Sequence, residues 1–300
     1  MEAISVWNLA SAVSKLASLA GTAGVVGGFF ALGLARTFSS ATRHQLRIYV
    51  LFSAVLGLAA TIVFFLVQIG AINQQGFAGI WDIQMGRILA DSSLGQSTGL
   101  KLLAFLLFAL SATLVSLRDR RAMGQVWKAA LICIVAIALI LLSASFLLTG
   151  HVTELGVLPH VAIVLHVLAV FLWIGALWPL LFFCTQLQQQ PQELQKVMLL
   201  FGAIASGIVA VLIVSGVYFL SQLLDSWSDL IGTAYGRGIL FKLSGVSLLL
   251  SLAALNKFRL VPQLERAGGT RNLARSIRLE ILVALAILLI TAVVTVVIGQ

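Results

Sequence analysis

Residues 127–149 read WKAALICIVAIALILLSASFLLT, twenty-three residues with a single charge, Lys128, near the start. A helix rises ~1.5 Å per residue and needs ~20 apolar residues to cross ~30 Å of hydrocarbon. This stretch meets that length. It has no two-residue alternation, so it does not read as a barrel strand. Backbone groups in lipid must bond internally, which leaves a helix. Seven more stretches of the same kind follow outward from it, at 10–35, 46–72, 98–117, 158–184, 195–221, 237–257 and 278–298. The expected fold is therefore all-α, one polytopic membrane domain over residues 1–300 with eight transmembrane helices.

Composition agrees. Of 300 residues, 60% are hydrophobic and 10% charged, and mean hydropathy is +1.08. A soluble domain carries about a quarter charged residues. The net charge of +9 lies in short connections beside apolar stretches, where basic residues face the cytoplasm and anionic lipid. No basic surface interleaved with aromatics lies outside the stretches, so nucleic acid is excluded as a partner.

The basic residues fall on alternate connections. Arg36, Arg43 and Arg47 lie between the first two spans. Arg118, Arg120, Arg121 and Lys128 lie between the third and fourth, and Lys257, Arg259, Arg266, Arg271, Arg275 and Arg278 between the last two. Lys196 marks the connection between spans five and six. The other connections hold few cations and more acids: Asp82, Asp91, Glu154, Asp225 and Asp229. The positive-inside rule puts the first set in the cytoplasm and both termini outside. The first span has Lys15 within it, lacks a basic leader and stays apolar to Leu34, so it reads as a retained helix.

An internal echo accompanies this pattern. Gly95, Lys101 and Arg118 recur as Gly236, Lys242 and Arg259 at a constant offset of 141. Lys15 and Gly24 recur, equally spaced, as His166 and Gly175. Matching spans lie four apart, so the expectation is a 4+4 parallel repeat, with halves 1–150 and 151–300.

Rise per residue gives depth. Lys101 lies ~25 Å from Arg118, Lys242 ~22 Å from Lys257, and Lys15 ~31 Å from Arg36. His166 lies ~10 Å below the outer start of span five. His151 and His160 flank spans four and five on the outer side, whereas His44 lies in a basic connection. The outer third thus collects three histidines and three lysines. Charges in hydrocarbon cost about 2.5–3.5 kcal/mol on insertion scales, and lysines near an interface snorkel. Lys242, the deepest, calls for a polar cavity or a partner. Imidazole ligates Cu, Fe or Zn, or relays protons. Equally, a histidine here serves as a hydrogen-bonded link between helices. Trp173 is seven residues from His166, close to the same face, while His160 is about 120° away from it. Met85 is the outward methionine besides Met1. Gln68 reads as an interhelical bond or a cavity lining, Glu280 as an interfacial residue, and Cys133 and Cys184 as small buried hydrophobes.

The segment Gly150-His151, with His166-Val-Leu-Ala-Val-Phe-Leu-Trp173-Ile-Gly175-Ala-Leu177, resembles the CopD copper-resistance membrane family. So does Tyr235-Gly236-Arg237-Gly-Ile-Leu-Phe-Lys242 with Asn256-Lys257-Phe258-Arg259-Leu260-Val261-Pro262. The His-x6-Trp-x-Gly element alone is shared with HemJ-type haem proteins. The resemblance implies an inner-membrane protein that works with a periplasmic copper carrier of the CopC type in copper uptake and tolerance. It makes His151 and His166 copper-facing residues, with His160 and Met85 as further candidate ligands. The chain has no Met- or His-rich outer segment and no CopC-like segment among its 300 residues, so a separate partner would supply the metal.

Two functional expectations follow. The first is a copper-handling permease or acceptor, a transporter or metal-binding protein rather than an enzyme, with no catalytic residue assigned. Its weakness is that Lys15, Lys101 and Lys242 repel a cation. The second is a haem b protein of membrane redox or assembly chemistry, with His151 and His166 as axial ligands and the lysines, with Trp173, around the cofactor. A scaffold whose polar residues only pack helices is the blandest reading. No phosphate-binding loop is present, so this chain does not power transport with its own nucleotide hydrolysis.

Overall fold

The computed structural model describes residues 6–73, 76–117, 124–148, 156–223, 232 and 234–298. Among them are nine α-helices and no strand: α1 Val6–Leu34, α2 Ser40–Asn73, α3 Ile83–Asp91, α4 Ser93–Leu117, α5 Gln125–Leu147, α6 Val157–Gln186, α7 Pro191–Leu223, α8 Ala234–Leu255 and α9 Gly269–Val293. All but the short α3 belong to segments long and apolar enough to cross a membrane, eight in number. Each expected span is present. The last helix starts nine residues before the expected span, at Gly269, after Gly268 at φ 80°. Its first turns are polar and basic, so hydropathy alone does not register them.

α1 is the central element. It packs on α2, α6 and α9. α2 continues to α4 and α4 to α5, while α6 carries α7 and α9, and α9 carries α8. α7 rests on α6 and on the turns that follow α8, Asn256–Leu260 and Val261–Gln263, rather than on α8 itself.

Small residues let the central helices touch. A Cβ at Gly175 of α6 would fall on the Ala23 carbonyl of α1, and one at Gly27 on the Gly175 backbone. Gly21 meets Gly57 of α2 in the same way, with a Cβ landing 2.5 Å from its Cα. In lipid, such van der Waals contact is a main source of helix association. Larger side chains fill the remaining space, Phe105, Phe108 and Phe171 in one cluster and Trp173, Leu177 and Phe183 in another.

A local fault in α6 explains one bond across the bundle. Pro179 lies inside α6 and has no N–H, so the Gly175 carbonyl four residues earlier loses its helical donor. Tyr49 Oη donates to that carbonyl at 3.1 Å. Tyr49 reaches it past α1 because Gly28 has no side chain, where a Cβ would stand 3.1 Å from the ring. The Tyr49 ring then stacks on Trp178, with centroids 4.7 Å apart.

Two sequence expectations are corrected. Glu280 is not on the surface: it is 3% exposed and lines a space bounded by α6, α7 and α8. Cys184 is buried as expected, but Cys133 is exposed on the outer face of α5, where its neighbour is lipid.

Two stability outcomes follow. Tyr49→Phe should cost about 0.5–2 kcal/mol by leaving the Gly175 carbonyl without a donor. In a Pro179→Ala background, which returns the helical N–H, the same substitution should cost close to nothing. Thermal unfolding of the four detergent-purified proteins measures this cycle. Gly175→Ala should cost about 1–3 kcal/mol by overpacking. Gly207→Ala, where nothing lies within 4 Å, should be neutral in the same assay.

Candidate functional site

Polar residues at the end opposite the basic connections form two groupings. In the first, Lys15 of α1 holds its Nζ 5.4 Å from the Phe64 ring centroid of α2. Lys101 of α4 holds its Nζ 4.9 Å from the Phe146 ring centroid of α5. The Lys15 charge acts on Lys101, so the two ammonium groups are neighbours. Aromatic faces stabilise each cation where counter-charges are scarce. Hydrogen bonds tie these helices together: Gln68 Nε2 donates to Ser11 Oγ at 3.1 Å, Ser18 and Thr61 share a bond of 2.9 Å, and Ser97 Oγ donates to the Ser145 carbonyl at 2.7 Å. Gln68 is thus an interhelical bond, one of the two roles expected of it.

The second grouping is on α6, α7 and α8. His166 Nδ1 lies 2.8 Å from Ser215 Oγ, and Phe219 meets the imidazole edge-on at 5.8 Å. The Lys242 charge acts on the His166 ring. Ser215 Oγ also lies 2.6 Å from the Val211 carbonyl of its own helix. In the tautomer protonated on Nδ1, the hydroxyl donates to that carbonyl and accepts from the imidazole, and Nε2 has its lone pair for a metal or a proton.

The first grouping presents two lysines, and the second an imidazole and a lysine. Ser215 and Phe219 were not picked out from the sequence. A serine followed by Gly216 in an apolar run is a weak signal, and only the neighbouring helix gives it a role.

The remaining candidates are dispersed. His151 lies outside the described residues. His160 is half-buried on the first turn of α6, and Met85 is half-buried on α3. Trp173 is buried in the core and belongs to the wall of a separate cavity nearer the basic end. Among the described residues, no three His, Cys, Asp or Glu side chains come together as a metal cage.

Residues 195–294 match the family model CopD, copper resistance protein D. That region contains Ser215, Phe219 and Lys242 and starts after His166. No curated protein and no solved structure matches the chain. The last third of the chain is thus similar to that family, and eight helices are long and apolar enough to cross a membrane.

The connection carrying Met85 yields a pH outcome. Asp82 caps α3: its carboxylate accepts from the Met85 backbone N–H at 2.9 Å and from Asn73 Nδ2 at 2.9 Å. These bonds, the Met85 one foremost, hold the Asp82 carboxyl below the usual carboxylate range. Its folded value lies below the unfolded one, so the cap stabilises α3 above the ordinary range and is lost as pH falls through the folded value. Hydrogen-exchange protection of the first turn of α3, corrected for intrinsic rates, should drop on acidification in the wild type and be low at every pH in Asp82→Ala.

Proposed function

We propose that this protein accepts copper at a site facing the periplasm and passes it into the bundle, with His166 Nε2 as the bundle's own ligand. The observation that carries this reading is the 2.8 Å contact between His166 Nδ1 and Ser215 Oγ. A metal-binding histidine characteristically donates its other ring N–H to an oxygen partner, the role this reading gives Ser215. Imidazole suits copper, and the CopD match gives the copper connection.

One imidazole is one ligand. The rest come from His151, from His160 or Met85, or from a periplasmic carrier of the CopC type that brings the metal. Lys242 beside His166 repels a held cation, which favours transfer over storage. In this reading the protein is a multi-pass protein of the bacterial inner membrane with both termini in the periplasm. Residues 1–150 and 151–300 are parallel repeats within one membrane unit. The two halves have diverged at matched positions, and the lysine pair of the first half neutralises anionic groups of lipid rather than holding metal.

Anaerobic Cu(I) titration of purified protein in nanodiscs, against a chromophoric chelator, tests the reading. His166→Ala should abolish the site, and Ser215→Ala should weaken it about 10–100-fold. Unchanged affinity in His166→Ala removes the proposal. A Soret band in the wild-type absorption spectrum would replace copper with haem b, with His166 as an axial ligand.

A further inference from the structure

The basic end of the bundle holds a cavity of ≈ 240 Å³ between α7 and α8, closed behind by α6 and α9. Trp173, Met198, Phe201, Asn256, Lys257 and Glu280 are among its walls. A water molecule occupies about 30 Å³ in the liquid, so the space holds several. Residues of α7 line one side of it, and residues of α8 and the turns after it line the other.

Glu280 faces this space from α9 and is 97% removed from solvent. Its one hydrogen-bond donor is Asn256 Nδ2, at 2.8 Å. It has no counter-ion: the ion pair present among the described residues is Lys196–Glu193, on the surface. Two further polar atoms next to it are buried and unbonded, Asn256 Oδ1 and Ser276 Oγ. Ser276 stands one turn before Glu280 on the same face of α9. Asn256 opens the π-helical turn Asn256–Leu260 that ends α8, and π turns of this kind recur at functional sites.

A carboxylate buried without a counter-ion costs several kcal/mol, and the cost is relieved when the group takes up a proton or a cation. A metal cation fits poorly. There is one carboxylate, the Lys257 ammonium lies in the same cavity, and no three metal-binding side chains cluster among the described residues. A proton fits. The protonated carboxyl keeps one oxygen for Asn256 Nδ2 and offers an O–H to the acceptors left unbonded nearby or to cavity water. At the mouth, Lys257 Nζ donates to Ser206 Oγ, joining the end of α8 to α7, and Ser206 is exposed.

We propose that Glu280 is a proton-binding station that exchanges its proton with water at the basic end of the bundle through the cavity between α7 and α8. The O–H bond of the carboxyl breaks, the proton passes to cavity water and leaves past Lys257 and Ser206, and uptake is the reverse. Among groups on the elements packed against α9, Lys257 is the charged one at the cavity. Lys15 of α1 and His166 of α6 lie towards the opposite end, Cys184 lies in the inner core, and Arg275 and Arg278 on α9 itself are exposed. The station does not depend on copper binding at His166. The two are connected through α6, since Trp173 lies ~10 Å below His166 and forms part of the cavity wall.

Infrared difference spectra of the full chain in lipid nanodiscs, recorded as pH is raised, test this. The wild type should lose a neutral-carboxyl C=O band. Glu280→Gln, which keeps the acceptor for Asn256, should lack that band, and Glu280→Asp should shift it. Asn256→Leu removes the donor without removing the carboxyl and should move the midpoint of the band by about one pH unit or more. Identical spectra for wild type and Glu280→Gln, or a Glu280 band that does not change with pH, overturn the proposal. Cu(I) affinity measured on the same samples keeps this result separate from the His166 site.

Discussion

The backbone contact of α1 with α6 at Gly27 and Gly175 is the constraint on which the bundle depends. Two helices approach this closely only when neither carries a Cβ at the crossing. The approach has a consequence, because Pro179 leaves the Gly175 carbonyl without its helical donor in a place where water is absent. Tyr49 supplies the donor from α2, over the open faces of Gly24 and Gly28. Three helices are thereby fixed by one carbonyl. α6 carries His166 towards one end of this crossing and Trp173 beside it, so the crossing positions both polar regions.

The two ends of the bundle use buried polarity differently. Away from the basic connections, cations lie over aromatic rings and serine or glutamine bonds join neighbouring helices. The imidazole of His166 has one nitrogen committed and one free. At the basic end a single carboxyl faces a space large enough for several waters, with an amide as donor and, among the described residues, no cation bonded to it. Soft-ligand chemistry suits the first arrangement and proton exchange suits the second.

Much of this was legible in the chain. Hydropathy and length determined eight helices, because hydrocarbon tolerates only segments that satisfy their own backbone. The same apolar surroundings made His166, Lys101 and Lys242 conspicuous, and the motifs around them pointed to the family whose model matches residues 195–294. What could not be read were partners between distant segments. Ser215 is 49 residues from His166 and unremarkable in an apolar run until α6 and α7 are adjacent. Glu280 looked interfacial because Arg278 is two residues away. The packing of α9 turns it inward, and Asn256, just after α8, meets it.

Alone, the sequence determined which segments cross the bilayer and which polar groups are unusual there, since both follow from the transfer of each residue between water and lipid. The tertiary structure decided which of those groups meet. Burial, tautomer and cavity are properties of several helices at once, set by glycine crossings and a missing proline N–H, and no single stretch of chain contains them.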